Sequence, residues 1–312
     1  MGNQATGFIT IVGRPNVGKS TLLNGLLGEK VAIVSPKPQT TRDRIRGIRT
    51  DATSQLVFID TPGIHKPLKA LNRAMVEAAV STLAEVDVVV LVISAPEQLK
   101  SISPDAPADG SGQSVPPADA HVLEFVREAA KPAVLVINKT DKLSDKRLLL
   151  PIMELWQRAH PFTSLVPCSA LLKEGFERLL GELVPLVPVG PKHYDDDTYT
   201  DRSLRFLAAE TIREKLFFNT EQEIPYSLVV EIERFERRRA LTVIEALIHV
   251  ERPGQKAVVI GKGGAMLKRI GTAARADLED LIGHQVLLNL HVRIERNWST
   301  RKTMLRRFGY LE

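Results

Sequence analysis

Apolar residues come in short blocks along the first part of the chain and in strict alternation near its end. Phe8-Ile9-Thr10-Ile11-Val12, Gln55–Ile59, Pro132–Ile137 and Ser164–Val166 are compact apolar runs that read as buried strands. Thr21–Leu27 continues the first of them as a helix. Strand-like and helix-like segments alternate from residue 8 to about 187, which predicts a doubly wound α/β domain. After that the pattern changes. Leu204, Leu207, Thr211 and Leu216 have helical spacing over 202–217, with Asp201 as the expected N-cap. Tyr226–Phe235 and Leu241–Val250 read as strands. Leu267, Ile270, Ala274, Leu278 and Leu281 mark one face of a helix over 264–282. Val286, Leu288, Leu290, Val292 and Ile294 then alternate with Leu287, Asn289, His291 and Arg293, which predicts a half-buried strand. This second domain reads as α+β.

Two stretches break the periodicity. Residues 96–120 carry Ser101, Ser103, Pro104, Pro107, Gly110, Gly112, Pro116 and Pro117, and read as a long surface loop with no assigned function. Pro185, Pro188, Gly190, Pro191 and the run Asp195-Asp196-Asp197 read as a linker. The expected division is therefore 1–187, a linker at 188–201, and 202–312.

Composition sharpens this picture in three places. The chain has 312 residues, 44% hydrophobic and 25% charged, which suits two globular domains. Its net charge of +5 is uneven. Residues 191–251 carry 9 basic against 13 acidic side chains, whereas residues 252–312 carry 12 against 5. A basic end of that kind points to a polyanion, with nucleic acid the expected partner. The single cysteine, Cys168, excludes an internal disulfide and fits a reducing compartment. No apolar run approaches the length of a membrane span. The start, Gly2-Asn3-Gln4-Ala5-Thr6, matches the loose myristoylation pattern, but a strand begins within a few residues of it.

The chemistry lies in ordered motifs. Gly13-Arg14-Pro15-Asn16-Val17-Gly18-Lys19-Ser20, followed by Thr21, matches the phosphate-binding loop G-x-x-x-x-G-K-[ST]. Glycines let backbone N–H groups curl around phosphate oxygens, Lys19 reaches the terminal phosphates, and the Ser20 hydroxyl can ligate Mg²⁺. The helix that follows aims its positive end at the anion. Asn138-Lys139-Thr140-Asp141 stands at the end of a strand, where open α/β sheets bind ligands. The Asp141 carboxylate can accept both N1–H and N2–H of guanine, which adenine does not offer. The Lys139 stem can cover the base. In Cys168-Ser169-Ala170, the Ala170 N–H is placed to donate to guanine O6. In Asp60-Thr61-Pro62-Gly63, Asp60 is expected to hold Mg²⁺ through water and the Gly63 N–H to meet the γ-phosphate. Between these motifs, Thr40 and Thr41 are both candidates for a second protein ligand of Mg²⁺.

In this order the motifs resemble the translation-factor-like GTPases, and within them closely the Era family, over nearly the whole length. The shared features are G-R-P-N-V-G-K-S, Q-T-T-R, D-T-P-G-I-H, N-K-x-D and S-A, followed by the second domain. The resemblance implies a GTPase that binds GTP and GDP, uses Mg²⁺, and binds small-subunit ribosomal RNA during assembly of the small ribosomal subunit. It also implies that the Mg²⁺ threonine is Thr41, with Thr40 the alternative. Some relatives hold K⁺ at the position of Asn16 in place of an arginine finger. K⁺ is thus an expected cofactor, against the reading that Asn16 only stabilises its loop. In the second domain, Gly261-Lys262-Gly263-Gly264 between two helical segments is the G-x-x-G loop of a KH module, which clamps single-stranded RNA. Lys262 and Lys268 supply charge. The resemblance makes this a type II KH domain. The tail Trp298–Tyr310 either extends the RNA surface or packs onto the KH sheet. A cytoplasmic monomer is expected, with weak peripheral contact at the inner face of the cell membrane and no DNA partner.

Ile64 stands where Ras-like GTPases carry a water-orienting glutamine, so intrinsic turnover is expected to be slow. His65 has no visible partner in the sequence and is not expected to act as a base. The competing functions are a small-molecule kinase, which would not need N-K-x-D, and an RNA-binding protein that senses nucleotide without hydrolysing it.

Overall fold

The computed structural model describes residues 4–35, 37–65, 70–102 and 114–311. It divides into two compact units. One comprises Met1–Ala32, Thr41–Lys66 and Met75–Asp201, and the other Ile33–Thr40, Pro67–Ala74 and Arg202–Glu312.

The first unit contains β1 (Gln4–Val12), α1 (Lys19–Leu27), β2 (Ile45–Thr50), β3 (Ser54–Asp60), α2 (Ala70–Glu85, shared at its start with the other unit), β4 (Val88–Ser94), α3 (Ala95–Leu99), α4 (Pro117–Ala129), β5 (Ala133–Asn138), α5 (Leu149–Ala159), β6 (Ser164–Pro167), α6 (Phe176–Leu183) and β7 (Val189–Gly190). The sheet order is β2-β3-β1-β4-β5-β6, with β7 beside the start of β1. β3, β1, β4, β5 and β6 are parallel, while β2 and β7 run antiparallel to their neighbours. Every residue of β3, β4 and β5 is buried. Burial of both side-chain sets of a strand requires cover on both faces, which explains why these runs are continuously apolar. On one face, Leu91, Ile93, Leu135 and Ile137 pack with Leu83 of α2, Val122 and Val126 of α4, and Ile152 and Trp156 of α5. Because the strands are parallel, their carboxyl ends share one edge, and all the nucleotide motifs leave the sheet there.

Two sequence expectations are revised here. Residues 96–120 are not one loop. α3 follows β4 without a break, and α4 starts at Pro117, a position that favours proline because no helical N–H is lost. Residues 103–113 lie outside the described residues. The segment expected as a linker is tied to the first unit by backbone pairing. Pro188 accepts from the Thr6 N–H at 2.8 Å, β7 pairs with β1, and Gln55 Oε1 takes the N–H groups of His193 and Tyr194 at 2.7 and 3.0 Å.

The second unit holds α7 (Leu204–Asn219), β8 (Val229–Arg237), β9 (Leu241–Val250), α8 (Pro253–Ile260), α9 (Ala265–Ile282), β10 (Gln285–Ile294) and α10 (Lys302–Arg307). The sheet order is β10-β9-β8, with β9 and β10 parallel and β8 antiparallel to β9. This is the expected α–β–β–α–α–β order. Ala208, Ile212 and Leu216 of α7 and Ile270, Ala274 and Leu278 of α9 form the core with Ile244, Ala246 and Ile248 of β9. β10 alternates as its sequence predicts. Ser203, not Asp201, caps α7, its hydroxyl accepting the Phe206 N–H at 3.2 Å. Asp201 instead pairs with Arg46. Tyr226 lies in a short 3₁₀ turn, so β8 begins later than expected. The tail packs on the sheet. Trp298 is fully buried and donates to the Ser227 carbonyl at 2.8 Å, and Arg307 pairs with Glu231 at 3.0 Å.

The segment Ile33–Thr40 belongs to this second unit. The Val34 N–H donates to Glu214 at 3.1 Å, and the Lys37 ammonium bonds the carbonyls of Phe217 and Thr220 at the end of α7. A cation there complements the negative end of the helix. Among the described residues, no helix is long and apolar enough to cross a membrane.

Candidate functional site

The chain between β1 and α1 turns sharply enough to present its amides. Gly18 has φ 102°, and a Cβ there would stand 2.2 Å from the Asn138 side chain. Asn16 also takes the left-handed conformation, with φ 64°. α1 begins at Lys19, so its N-terminus and its first residues, Lys19, Ser20 and Thr21, lie directly after the loop. Val17 is buried and fixes the loop to the core. Lys19 is buried, and its ammonium donates to the carbonyls of Gly13 and Arg14 at 3.2 and 3.0 Å. Burial pulls its pKa down to about 8, although Asp60 opposes this. A buried cation whose hydrogen-bond partners among the described residues are carbonyls is a position prepared for an anion.

Three oxygen donors meet beside it. Ser20 Oγ is 2.8 Å from Thr41 Oγ1 and donates to Asp60 Oδ2 at 2.6 Å, and Thr41 Oγ1 is 3.2 Å from the same carboxylate oxygen. Asp60 is fully buried, and among the described residues its Oδ1 has no hydrogen-bond partner. Burial raises the Asp60 pKa, while Lys19 and the two hydroxyls work against the shift. An orphaned carboxylate oxygen next to two hydroxyls is a hard donor set that suits Mg²⁺. Thr40 is not part of it, since its hydroxyl donates to the Lys37 carbonyl at 2.7 Å. Gly63 lies against the loop so closely that a Cβ would come within 2.6 Å of the Pro15 nitrogen. The next residue, Ile64, donates its N–H to the Gly13 carbonyl, and its side chain is buried in the core. It cannot orient water. His65 Nδ1 lies 2.8 Å from the Gly63 carbonyl.

The loops after β5 and β6 are joined to the phosphate loop by Asn138. Its Nδ2 donates to the Val17 carbonyl at 2.8 Å, and its Oδ1 accepts the Ala170 N–H at 2.9 Å. The Ala170 amide, expected to face guanine O6, is thus held by Asn138 in this structure. Asp141 is exposed and oriented by the Ser169 hydroxyl at 2.6 Å. Lys139 has φ 63° and donates from Nζ to the Asn16 carbonyl at 2.5 Å, which lays its stem between the two loops. Cys168 is buried, and its thiol is pushed up to about 12 by that burial, so it packs rather than reacts.

In the second unit, Gly261-Lys262-Gly263-Gly264 turns between α8 and α9, with Lys262 and Gly263 exposed and open space beside Gly263 and Gly264. An adjacent groove of about 560 Å³ runs between α9 and β10. Gly264, Lys268, Gly271 and Arg275 line one side, Leu288 and Asn289 the other. An apolar floor with cations along one wall fits stacked bases and a phosphate backbone.

Sequence reasoning missed Gly271, Arg275 and Asn289, although the strict alternation of β10 marks Asn289 as outward-facing. It also missed the surroundings of Arg14, whose partners Glu97 and Asp119 are remote in sequence.

Residues 8–139 match the family model for a 50S ribosome-binding GTPase, and residues 223–299 match that for a KH domain. The GTPase Era of Syntrophus aciditrophicus is 47% identical over 309 residues, covering 98% of this chain and 95% of the relative. That of Geotalea uraniireducens is 46% identical over 306 residues, covering 98% and 97%. Among solved structures, Era in complex with MgGDPNP and nucleotides 1506–1542 of 16S ribosomal RNA superposes with a TM-score of 0.91 at 38% identity, covering 99% of this chain and all of that one. A variant of Aquifex aeolicus Era bound to GDP and aluminium fluoride matches equally well. With a phosphate loop, an N-K-x-D loop and a KH module matched from end to end, this chain is a GTPase and belongs to the Era family.

Proposed function

We propose that this GTPase is a switch that binds single-stranded ribosomal RNA of the small subunit through the α9–β10 groove and acts in assembly of that subunit. The observation that carries this reading is the groove itself, an apolar floor with Lys268 and Arg275 on one wall beside an open glycine loop. The relative crystallised with a 16S ribosomal RNA segment supports the class of RNA. Such a role is that of a cytoplasmic protein.

At the nucleotide site Ser20, Thr41 and Asp60 would hold Mg²⁺, which when bound neutralises phosphate charge. Lys19 holds a proton at Nζ beside the terminal phosphates, and the backbone N–H groups of Asn16–Thr21 bind phosphate oxygens. Asp141 selects guanine, Ser169 orients Asp141, and the Lys139 stem covers the base. Ile64 contributes no group to the attacking water, so intrinsic hydrolysis is slow and a further charge is needed. The Asn16 side chain would help to hold K⁺, which when bound would supply such a charge. Thr41 follows directly on the segment Ile33–Thr40, which belongs to the second unit. A change in the contacts of Thr41 between nucleotide states would therefore reach a segment bonded to α7, and through it GTP changes how the RNA groove is presented.

The test is the affinity of the full chain for the 1506–1542 segment of 16S ribosomal RNA. Lys262→Asp combined with Gly263→Asp should reduce it at least about a hundredfold, by placing two anions where phosphates pass. A melting temperature near that of the parent would show that the variant folds. Parent-like RNA affinity in a folded variant would overturn the assignment.

A further inference from the structure

Arg14 occupies a variable position of the phosphate loop, yet its guanidinium is tied to both stems of the 100–116 connection. Its Nη2 pairs with Glu97 of α3 and its Nε with Asp119 of α4, each at 2.5 Å. Asp119 is 1% exposed. Its second oxygen, Oδ2, accepts from Gln98 Nε2 at 2.7 Å, and Gln98 Oε1 accepts from the indole Nε1–H of Trp156 at 3.0 Å. Trp156 is fully buried in α5.

The direction of this chain is fixed by chemistry. An indole N–H can only donate, so Gln98 must turn its oxygen to Trp156 and its amide N–H to Asp119. Asp119 then accepts on both oxygens, from Gln98 and from Arg14, as the paired oxygens of a carboxylate allow. An asparagine there leaves either Gln98 or Arg14 facing a donor. The hydrogen-bond run therefore links the hydrophobic core beneath α5 to one residue of the phosphate loop, with no freedom to invert.

We propose that Asp119 is a positioning residue for nucleotide binding, holding the phosphate loop through Arg14 in the conformation that receives the β-phosphate. This rests on the reading of Gly13–Ser20 as the phosphate loop. Because the β-phosphate is common to GDP and GTP, Asp119 acts on binding of both and not on the chemical step.

The test is a double-mutant cycle on GDP affinity, read by titration with a fluorescent GDP analogue. Asp119→Ala and Arg14→Ala should each weaken GDP about tenfold, and the double variant should be no weaker than either single one. KM for GTP should rise by a similar factor, with kcat within about twofold of the parent. A second measurement needs no variant of the clamp. The Trp156 indole N–H resonance, assigned with Trp156→Phe, should shift when the parent is saturated with GDP. Losses that multiply in the double variant, parent-like GDP affinity of Asp119→Ala, or an indole signal that ignores GDP would each overturn the proposal. A parent that does not bind GDP would instead sink the phosphate-loop reading.

Discussion

The side chain that decides most at the nucleotide site is Lys19. Burial holds its pKa near about 8, far below the ordinary lysine value, in the absence of an anion. Polyphosphate stabilises the charged form, so the pKa rises on binding. The linked affinity is complete below about pH 8 and declines as pH rises from there towards the pKa of the complex, with a proton taken up per nucleotide bound in that window. Calorimetry of GDP binding at about pH 9 in buffers of different ionisation enthalpy should show that uptake. Equal affinity at pH 7 and 9 with no proton uptake would contradict it. Asn16 makes a separate case. It stands in the left-handed conformation at the exposed side of the loop, where its backbone carbonyl is engaged by Lys139. If its amide oxygen helps to hold K⁺, GTP turnover should be at least about tenfold faster in K⁺ than in Na⁺, the scale of one transition-state charge contact. Asn16→Ala should remove most of that difference while leaving GDP affinity near the parent's. Indifference of the rate to the cation would leave Asn16 a loop residue only.

At the level of elements, the motifs were legible because phosphate and base recognition need neighbouring residues on one strand–turn–helix. Gly13–Ser20 and Asn138–Asp141 are read directly from spacing. What depends on distant pairing was not legible. Thr40 and Thr41 are adjacent and chemically equal, and only the approach of Ser20 and Asp60 separates them. The pairing of β7 with β1 joins residues far apart, so a proline-rich stretch read as a linker is tied down instead. Ser203 displaced Asp201 as the cap because Asp201 is drawn to Arg46. The groove carries a prediction at this scale. Gly271 lies inside α9 with ordinary helical geometry, and a Cβ there would meet Leu290 at 3.5 Å, a normal contact. Gly271→Ala should therefore stabilise the fold by about 0.5–1 kcal/mol, by restricting the unfolded chain and favouring helix. The added methyl also narrows the groove, so RNA affinity should fall. Thermal melting and RNA titration of the same variant check both signs. A loss of stability, or a gain in RNA affinity, would count against this reading of the groove.

For the whole molecule, the two chemistries are joined by chain connection at a telling point. Thr41, which meets Ser20 and Asp60, is preceded immediately by Ile33–Thr40, which is bonded to α7 through Val34 and Lys37. On the proposed reading, the threonine that would respond to the γ-phosphate and Mg²⁺ thus sits one peptide bond from a segment of the unit that would bind RNA. Coupling of this kind is reciprocal, and typical coupling energies are about 1–3 kcal/mol. The most direct test is the affinity of the full chain for the 1506–1542 segment of 16S ribosomal RNA, measured at one salt concentration with saturating GDPNP and again with saturating GDP. The account predicts tighter binding with GDPNP by about 5- to 150-fold, and an equal factor in the preference of the RNA-bound protein for GDPNP. Identical RNA affinities in the two nucleotide states would contradict it.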